Sequence, residues 1–323
     1  MARKKPNELD FSNTKLEVVI YGIPNIGKST LAFSAGKVLM VDIDKGVGRV
    51  ESVHRKDIID LELNRGQKAL DIIREDLSGD LSDIDTIAID TIGGLLDIIK
   101  YSILEKGNGK SKQADGTLTQ NGWGILANKF EEFREFLLSL NKHIIWIAHS
   151  SEVKDNDEDA RTKIRIDIQG STKNNIYKGA TLVGFVEMQG KDRVIHFKPT
   201  DRYYAKSSHG IEGTYVLPKL KGNDINENVF LETLFKEYCQ KLSNDMQKYG
   251  SDLQIYNNAM KLLVDIQEFE NVDQLNEMVE KIKNIEHALT SKEELFAGLQ
   301  VKAKELNAIY DKASKRFVNS TEN

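Results

Sequence analysis

A chain of 323 residues, 40% hydrophobic and 29% charged, can bury a sizeable core and has room for one large domain and a smaller one. Its single cysteine, Cys239, excludes an internal disulfide and fits a reducing cytoplasm. No apolar run approaches membrane-spanning length, and Met1–Pro6 lacks the apolar stretch of a signal peptide, so a soluble cytoplasmic protein is expected.

Residues 1–13 read as a basic N-terminal arm. The run Leu16-Glu-Val-Val-Ile-Tyr21 then reads as a buried strand, and Thr30-Leu-Ala-Phe-Ser-Ala as the start of a helix. Between them, Gly22-Ile-Pro-Asn-Ile-Gly27-Lys28-Ser29-Thr30 fills the phosphate-loop pattern G-x-x-x-x-G-K-[S/T] without a mismatch. The chemistry follows from the residue types. Glycines let successive N–H groups turn inward on phosphate oxygens, and the helix N-terminus adds partial positive charge. Lys28 can reach the β- and γ-phosphates, and the Ser29 hydroxyl can ligate Mg²⁺. Gly22, Asn25, Ile26, Gly27, Lys28, Ser29 and Thr30 are the predicted nucleotide-binding residues.

Further apolar runs follow at Val38-Leu-Met-Val-Asp-Ile43, Thr86-Ile-Ala-Ile89 and His143-Ile-Ile-Trp-Ile-Ala148, with a helix carrying Phe130, Phe133, Phe136 and Leu137 between the last two. Strands alternating with helices predict an α/β fold with a mainly parallel sheet covered on both faces. Ligands bind at the carboxyl ends of such strands. Asp90 ends the second of these runs as a carboxylate able to hold Mg²⁺ through its water shell, or to cap the next helix. Asp42 and Asp44 end the first, where one carboxylate could orient or deprotonate a water attacking the γ-phosphate; Asp44 is favoured. His149 follows the third, either as a structural histidine or as a γ-phosphate sensor. The guanine-reading N-K-x-D pattern is missing: Asn128-Lys-Phe-Glu131 and Asn141-Lys-His-Ile144 each lack its aspartate, which favours ATP.

The segment Tyr101–Gly124 reads as a long polar loop with Lys106, Lys110 and Lys112. Arg161, Lys163, Arg165, Lys173 and Lys178 form a basic stretch suited to nucleic-acid phosphates, against a pI of about 5.8 for the whole chain. Phe185–Gln189 and Val194–Lys198 flank Gly190-Lys-Asp-Arg193 as a hairpin. Beyond a linker at 217–223 there is no proline, and from Asp224 to Asn323 there are 18 Asp and Glu against 12 Lys and Arg. Leu234, Tyr238 and Leu242, then Leu275, Val279, Ile282 and Ile285, then Leu299, Ala303, Leu306 and Tyr310 make helical stripes, and Ser291-Lys-Glu-Glu294 reads as a capping box. The expected domains are 14–220 and an all-α region at 224–323.

In order, the phosphate loop, Val41-Asp-Ile-Asp44-Lys-Gly, Thr86-Ile-Ala-Ile-Asp90, Ile144-Ile-Trp-Ile-Ala-His149, Asp167-Ile-Gln-Gly170 and the hairpin resemble the RecA-type ATPases. The similarity is strongest to their phage-encoded branch of ATP-binding single-strand annealing and recombination proteins, across roughly residues 14–206. The resemblance implies a RecA-like P-loop ATPase core using ATP and Mg²⁺, acting on single-stranded DNA and assembling side by side on it as a ring or filament with nucleotide between subunits. Localisation would then be the host cytoplasm. It implies catalytic roles for Lys28, Asp44 and His149, metal contact by Ser29 and Asp90, and DNA contact by the loop after His149. It also places Lys206 near where a basic residue can reach a neighbour's nucleotide. The family usually has glutamate where Asp44 stands. The acidic tail would dock a replication or single-strand-binding protein. Two alternatives remain: an ATP-dependent loader or remodeller of a replication protein, and a nucleotide-dependent scaffold with little hydrolysis.

Overall fold

The computed structural model describes residues 9–107, 110–153, 162–168, 172–208, 210–220, 222, 224 and 226–320. Among them the chain forms two compact units, one over Asn13–Lys241 and one that includes Leu242 onward.

The first unit is built on a nine-stranded sheet. Its strands are β1 (Glu17–Gly22), β2 (Val38–Asp42), β3 (Asp57–Asp60), β4 (Thr86–Asp90), β5 (His143–Val153), β6 (Lys163–Ile166), β7 (Leu182–Gln189), β8 (Asp192–His196) and β9 (Thr214–Val216). The order is β3-β2-β4-β5-β1-β7-β8-β9, with β6 paired to the far end of β5. Pairing is parallel from β3 through β7 and antiparallel at β7–β8, β8–β9 and β5–β6. This is the expected α/β fold with a mainly parallel sheet. Among the described residues six α-helices serve this unit: α1 (Lys28–Ala32), α2 (Gly66–Leu77), α3 (Ile92–Lys106), α4 (Gln120–Ser139), α5 (Thr172–Gly179) and the first part of α6 (Phe230–Met260).

Both faces of the central strands are dry, which explains the near-continuous apolar runs. Val19 and Tyr21 of β1 join Ile87, Ile89, Ile144 and Trp146 in a core shared with α2 to α5. Val18 and Ile20, on the opposite face, are equally buried. Glu17 is the exception in this apolar run, and it is fully partnered. Its two carboxylate oxygens take Arg134 Nε and Nη2 of α4, each at 2.6 Å, and Trp146 Nε1 donates to Oε1 at 2.9 Å.

His143 opens β5 and is half-buried against Phe235 of α6, their rings stacked 4.8 Å apart. Its Nδ1 accepts the Leu16 N–H at 3.1 Å, which requires an unprotonated nitrogen there. Burial, reinforced by Lys15, lowers its pKa from 6.5 to about 4. Below pH 6.5 the unfolded chain therefore binds a proton that the folded chain refuses, so stability falls as pH drops toward 4. Between pH 7.5 and 5.0 this single group is expected to withdraw up to about 2 kcal/mol. Urea midpoints at the two pH values measure it. His143→Gln, which keeps an acceptor for Leu16 without a titrating ring, should lose correspondingly less over the same interval.

Local differences from the sequence reading have plain causes. The Tyr101–Gly124 loop is shorter than expected, because α3 runs on to Lys106 and α4 begins at Gln120, its first turn capped by the Thr119 hydroxyl accepting the Gly122 N–H. The unit boundary lies inside α6, between Lys241 and Leu242, and not at 217–223. Leu231, Leu234, Phe235 and Tyr238 are buried, and the Asn228 side chain donates to the Thr30 carbonyl, so this part of α6 completes the first unit.

The second unit is helical, with the rest of α6, α7 (Leu262–Gln267), α8 (Val272–Asn284) and α9 (Ser291–Glu305). Leu275, Val279, Ile282, Leu295 and Leu299 form its core. It is not all-α: β10 (Ala308–Asp311) and β11 (Arg316–Asn319) pair as an antiparallel hairpin that buries Phe317. Tyr310, expected on a helical stripe, lies in β10. The capping box is also elsewhere. Asn271 and Gln274 make it at the start of α8, while the Ser291 hydroxyl accepts the Ala288 N–H and Thr290 precedes α9 without a cap bond.

Candidate functional site

Strand register brings the predicted groups together at the carboxyl edge of the sheet. Gly22 lies opposite His149, and Asp42 opposite Asp90. Above them opens a cleft of about 300 Å³ lined by the phosphate loop and by Asp44, Arg49, Asp90 and His149, among others.

The loop has the conformation the motif demands. Gly27 sits at φ 88°, in the left-handed region that favours glycine, and Asn25 is at φ 61°. A Cβ on Gly22 would stand 2.4 Å from the Val186 carbonyl oxygen, so only glycine lets β1 end this close to β7. Asn25, Gly27, Lys28, Ser29 and Thr30 line the cleft. Ile26 instead has a buried side chain, and its carbonyl accepts Arg193 Nη1 at 3.4 Å.

Lys28 is only 5% exposed. Its ammonium donates to the carbonyls of Gly22 and Ile23 at 3.0 and 2.8 Å and lies 3.4 Å from His149 Nδ1. Burial lowers its pKa to about 8, against the opposing pull of Asp90 and Asp44. The Ser29 hydroxyl donates to Asp90 Oδ2 at 2.5 Å. Asp90 is buried, and desolvation raises its pKa to about 6, the Ser29 bond opposing.

Asp42 and Asp44 have different surroundings. Asp42 is buried, and its carboxylate accepts the N–H groups of Gly46 (2.7 Å) and Val47, holding the 3-10 turn Gly46–Arg49. Asp44 faces the cleft, where its Oδ2 accepts the Thr91 hydroxyl at 2.9 Å and lies 3.6 Å from His149 Nε2. Burial and the Lys28 ammonium lower the His149 pKa, so the ring is neutral at pH 7. A proton on Nε2 satisfies both neighbours, since Nδ1 then accepts from Lys28 and Nε2–H faces Asp44.

These donors suit a hard divalent cation: one hydroxyl and one carboxylate side by side, with phosphate oxygens and waters to complete six-coordination. Gly46 keeps the neighbouring space open, because a Cβ there would lie 3.2 Å from Asp90 Oδ2 and 3.5 Å from Ser29 Oγ. Ser29 and Asp90 fit Mg²⁺ on those grounds.

Three participants escaped the sequence reading. Thr91 both orients Asp44 and caps α3, accepting the Gly94 N–H; its position directly after Asp90 was the available signal. Arg193, on the β8 strand of the hairpin, braces the loop at Ile26 and Gly27, a contact that no local pattern encodes. Arg49 lines the cleft from the turn after Asp44.

The basic stretch is placed in part. Lys163 and Arg165 share the partly exposed face of β6, while Ile164 and Ile166 are buried behind them. Strand β6 pairs with β5 just beyond His149, with Ser150 opposite Ile166, and the Asp167 N–H bonds the His149 carbonyl at 2.8 Å. Lys173 and Lys178 lie on α5. Arg161 and Gly170 fall outside the described residues. Lys206 is committed within its own chain: its ammonium donates to the carbonyls of Tyr177, Lys178 and Ala180, at the carboxyl end of α5.

The model of the AAA domain family matches residues 14–209, more than half of the chain. The chain belongs to that family. It is thus a P-loop ATPase domain joined to a helical C-terminal unit. Among solved structures, a KaiC-like protein from the hyperthermophilic archaeon Pyrococcus horikoshii matches over 63% of this chain and 89% of that chain, at 12% identity and a TM-score of 0.32. A search of curated proteins gives no match. No helix among the described residues is long and apolar enough to cross a membrane.

Proposed function

We propose that this AAA-family protein binds Mg²⁺-ATP in the Lys28 cleft and hydrolyses it while acting on single-stranded DNA, in phage-type recombination or annealing, replication or repair. The observation that carries the ATPase half is the convergence of Lys28, Ser29, Asp90, Asp44 and His149 on one cleft. In this reading Ser29 and Asp90 hold the metal, which would supply charge neutralisation on the phosphates. Lys28 exchanges its carbonyl partners for phosphate oxygens. Asp44, steadied by Thr91, orients the attacking water and draws on its proton, and neutral His149 offers an N–H that reports whether a γ-phosphate is present. Nucleotide lies between subunits of a homo-oligomeric ring or filament, and the acidic tail docks a replication or single-strand-binding partner.

The DNA half rests on the join between β5 and β6. A strand bearing Lys163 and Arg165 pairs with the strand that carries His149, which supports a reading in which a basic face beside the nucleotide cleft contacts DNA phosphates. Asp44 also favours a second reading. It is a methylene shorter than the glutamate usual in RecA-type proteins, which suits a nucleotide-dependent scaffold with slow turnover.

ATPase rates with and without single-stranded DNA, beside filter binding over a salt series, test both. Replacing Arg161, Lys163 and Arg165 by alanine should cut the salt slope of binding by about 0.7 per lost contact and remove stimulation by DNA, with basal hydrolysis retained. A parent protein without salt-sensitive affinity for single strands in the presence of ATP would overturn the DNA half, and slow turnover in the same assay would put the scaffold in its place.

A further inference from the structure

We propose that Arg49 is a second nucleotide-binding cation, contacting the phosphate chain of the bound triphosphate from the turn that faces the phosphate loop; the inference rests on the nucleotide reading above. An exposed arginine is ordinarily a solvated surface charge, and three observations separate this one. It lines the same cleft as Asn25, Lys28 and Ser29. Among the described residues its side chain makes no hydrogen bond or ion pair, whereas nearby cations are committed: Lys45 lies 3.8 Å from Asp60, and Arg55 donates to the carbonyls of Val50 and Gly48.

Its backbone is also fixed in place. The buried Asp42 carboxylate grips the turn at Gly46 and Val47, the Val50 N–H bonds the Val47 carbonyl at 3.0 Å, and Arg55 closes the far side. Val47 and Val50 anchor the turn in the core on either side of Arg49. Burying a carboxylate such as Asp42 is costly, and here it holds an arginine over an open cleft.

Charge supplies the physical need. Asp44 and Asp90 already line the cleft and Asp42 lies behind them, so a triphosphate adds to an acidic site. Against this stand the Lys28 ammonium and the divalent cation that Ser29 and Asp90 would hold, and that cation is itself shared with the Asp90 carboxylate. A guanidinium remains charged at any working pH and offers paired donors that match phosphate oxygens, which an ammonium cannot reproduce.

Calorimetric titration of the full chain with Mg²⁺-ATP and, separately, with inorganic tripolyphosphate tests the assignment. Arg49→Ala should raise the Kd of both by about ten- to a hundredfold, and Arg49→Lys should recover part of the loss. An unchanged thermal midpoint in ligand-free Arg49→Ala confirms that the turn survives. If the parent binds ATP and Arg49→Ala binds both ligands within twofold of it, Arg49 is a surface charge and the inference is overturned. A loss confined to ATP, with tripolyphosphate unaffected, overturns the phosphate assignment. A parent that binds neither ligand refutes the nucleotide reading itself.

Discussion

Lys28→Ala is expected to lower ATP turnover by at least a hundredfold and to weaken nucleotide binding, while leaving the chain folded. The size of the loss follows from what the ammonium does in a half-enclosed cleft, where a charge placed on the transferring phosphoryl group is worth several kcal/mol. Retention of the fold follows from the same burial. The Lys28 pKa is lowered to about 8, so the folded chain holds this ammonium at a cost, and removing it relieves that cost. Of the two carbonyls that lose a donor, that of Ile23 belongs to an exposed residue and only that of Gly22 is buried, a smaller cost than the removal of a buried charge relieves. Steady-state hydrolysis and thermal unfolding of the same preparation measure both. A parental rate in Lys28→Ala would place the chemistry elsewhere.

Glu17→Ala is expected to destabilise the ATPase unit by about 3 kcal/mol, the lower end for breaking a buried ion pair, because the Arg134 guanidinium loses two of its bonds but keeps the 2.6 Å bond from Nη1 to Glu131 Oε1. Glu17 is 5% exposed, and its carboxylate takes two bonds from Arg134 and one from Trp146, itself fully buried. In a unit of this size that corresponds to a fall in Tm of roughly 10 °C. The double variant Glu17→Ala/Arg134→Met should recover part of the loss, because it removes the half-paired guanidinium and fills the space with apolar volume; the Trp146 N–H and the Glu131 carboxylate each lose a partner and keep recovery incomplete. If Glu17→Ala unfolds within about 1 kcal/mol of the parent, as judged by urea midpoints, the pair is wetter than its geometry shows.

Much of the nucleotide cleft was legible in the sequence because its parts are local. A phosphate loop is nine consecutive residues, and its strand-loop-helix context lies within another dozen on each side. Asp90 and His149 were found because each ends an apolar run, and strand ends in a parallel sheet share one edge. The α/β class was legible for the same reason, since alternating strand and helix patterns of sufficient length leave few topologies. The separation of Asp42 from Asp44 needed the structure: both follow the same strand, and only the N–H groups of Gly46 and Val47, folded back by the turn, show that Asp42 is occupied while Asp44 faces the cleft.

What the sequence by itself determined, then, was every feature written in short-range pattern: the phosphate loop, the alternation of the sheet, the β7–β8 hairpin and the amphipathic α8. Only the tertiary structure decided the features that depend on residues far apart. Arg193 meets the phosphate loop across 167 positions, and Glu17 meets Arg134 across 117. The unit boundary falls within an unbroken helix, where composition gives no sign, because it is set by how far along α6 residues such as Leu231, Leu234, Phe235 and Tyr238 are buried in the first unit. Tyr310 left its helical stripe because α9 ends at Glu305 and the chain turns back on itself through Asn307, at φ 50°. Periodicity records which residues prefer burial, whereas packing chooses the partner that buries them.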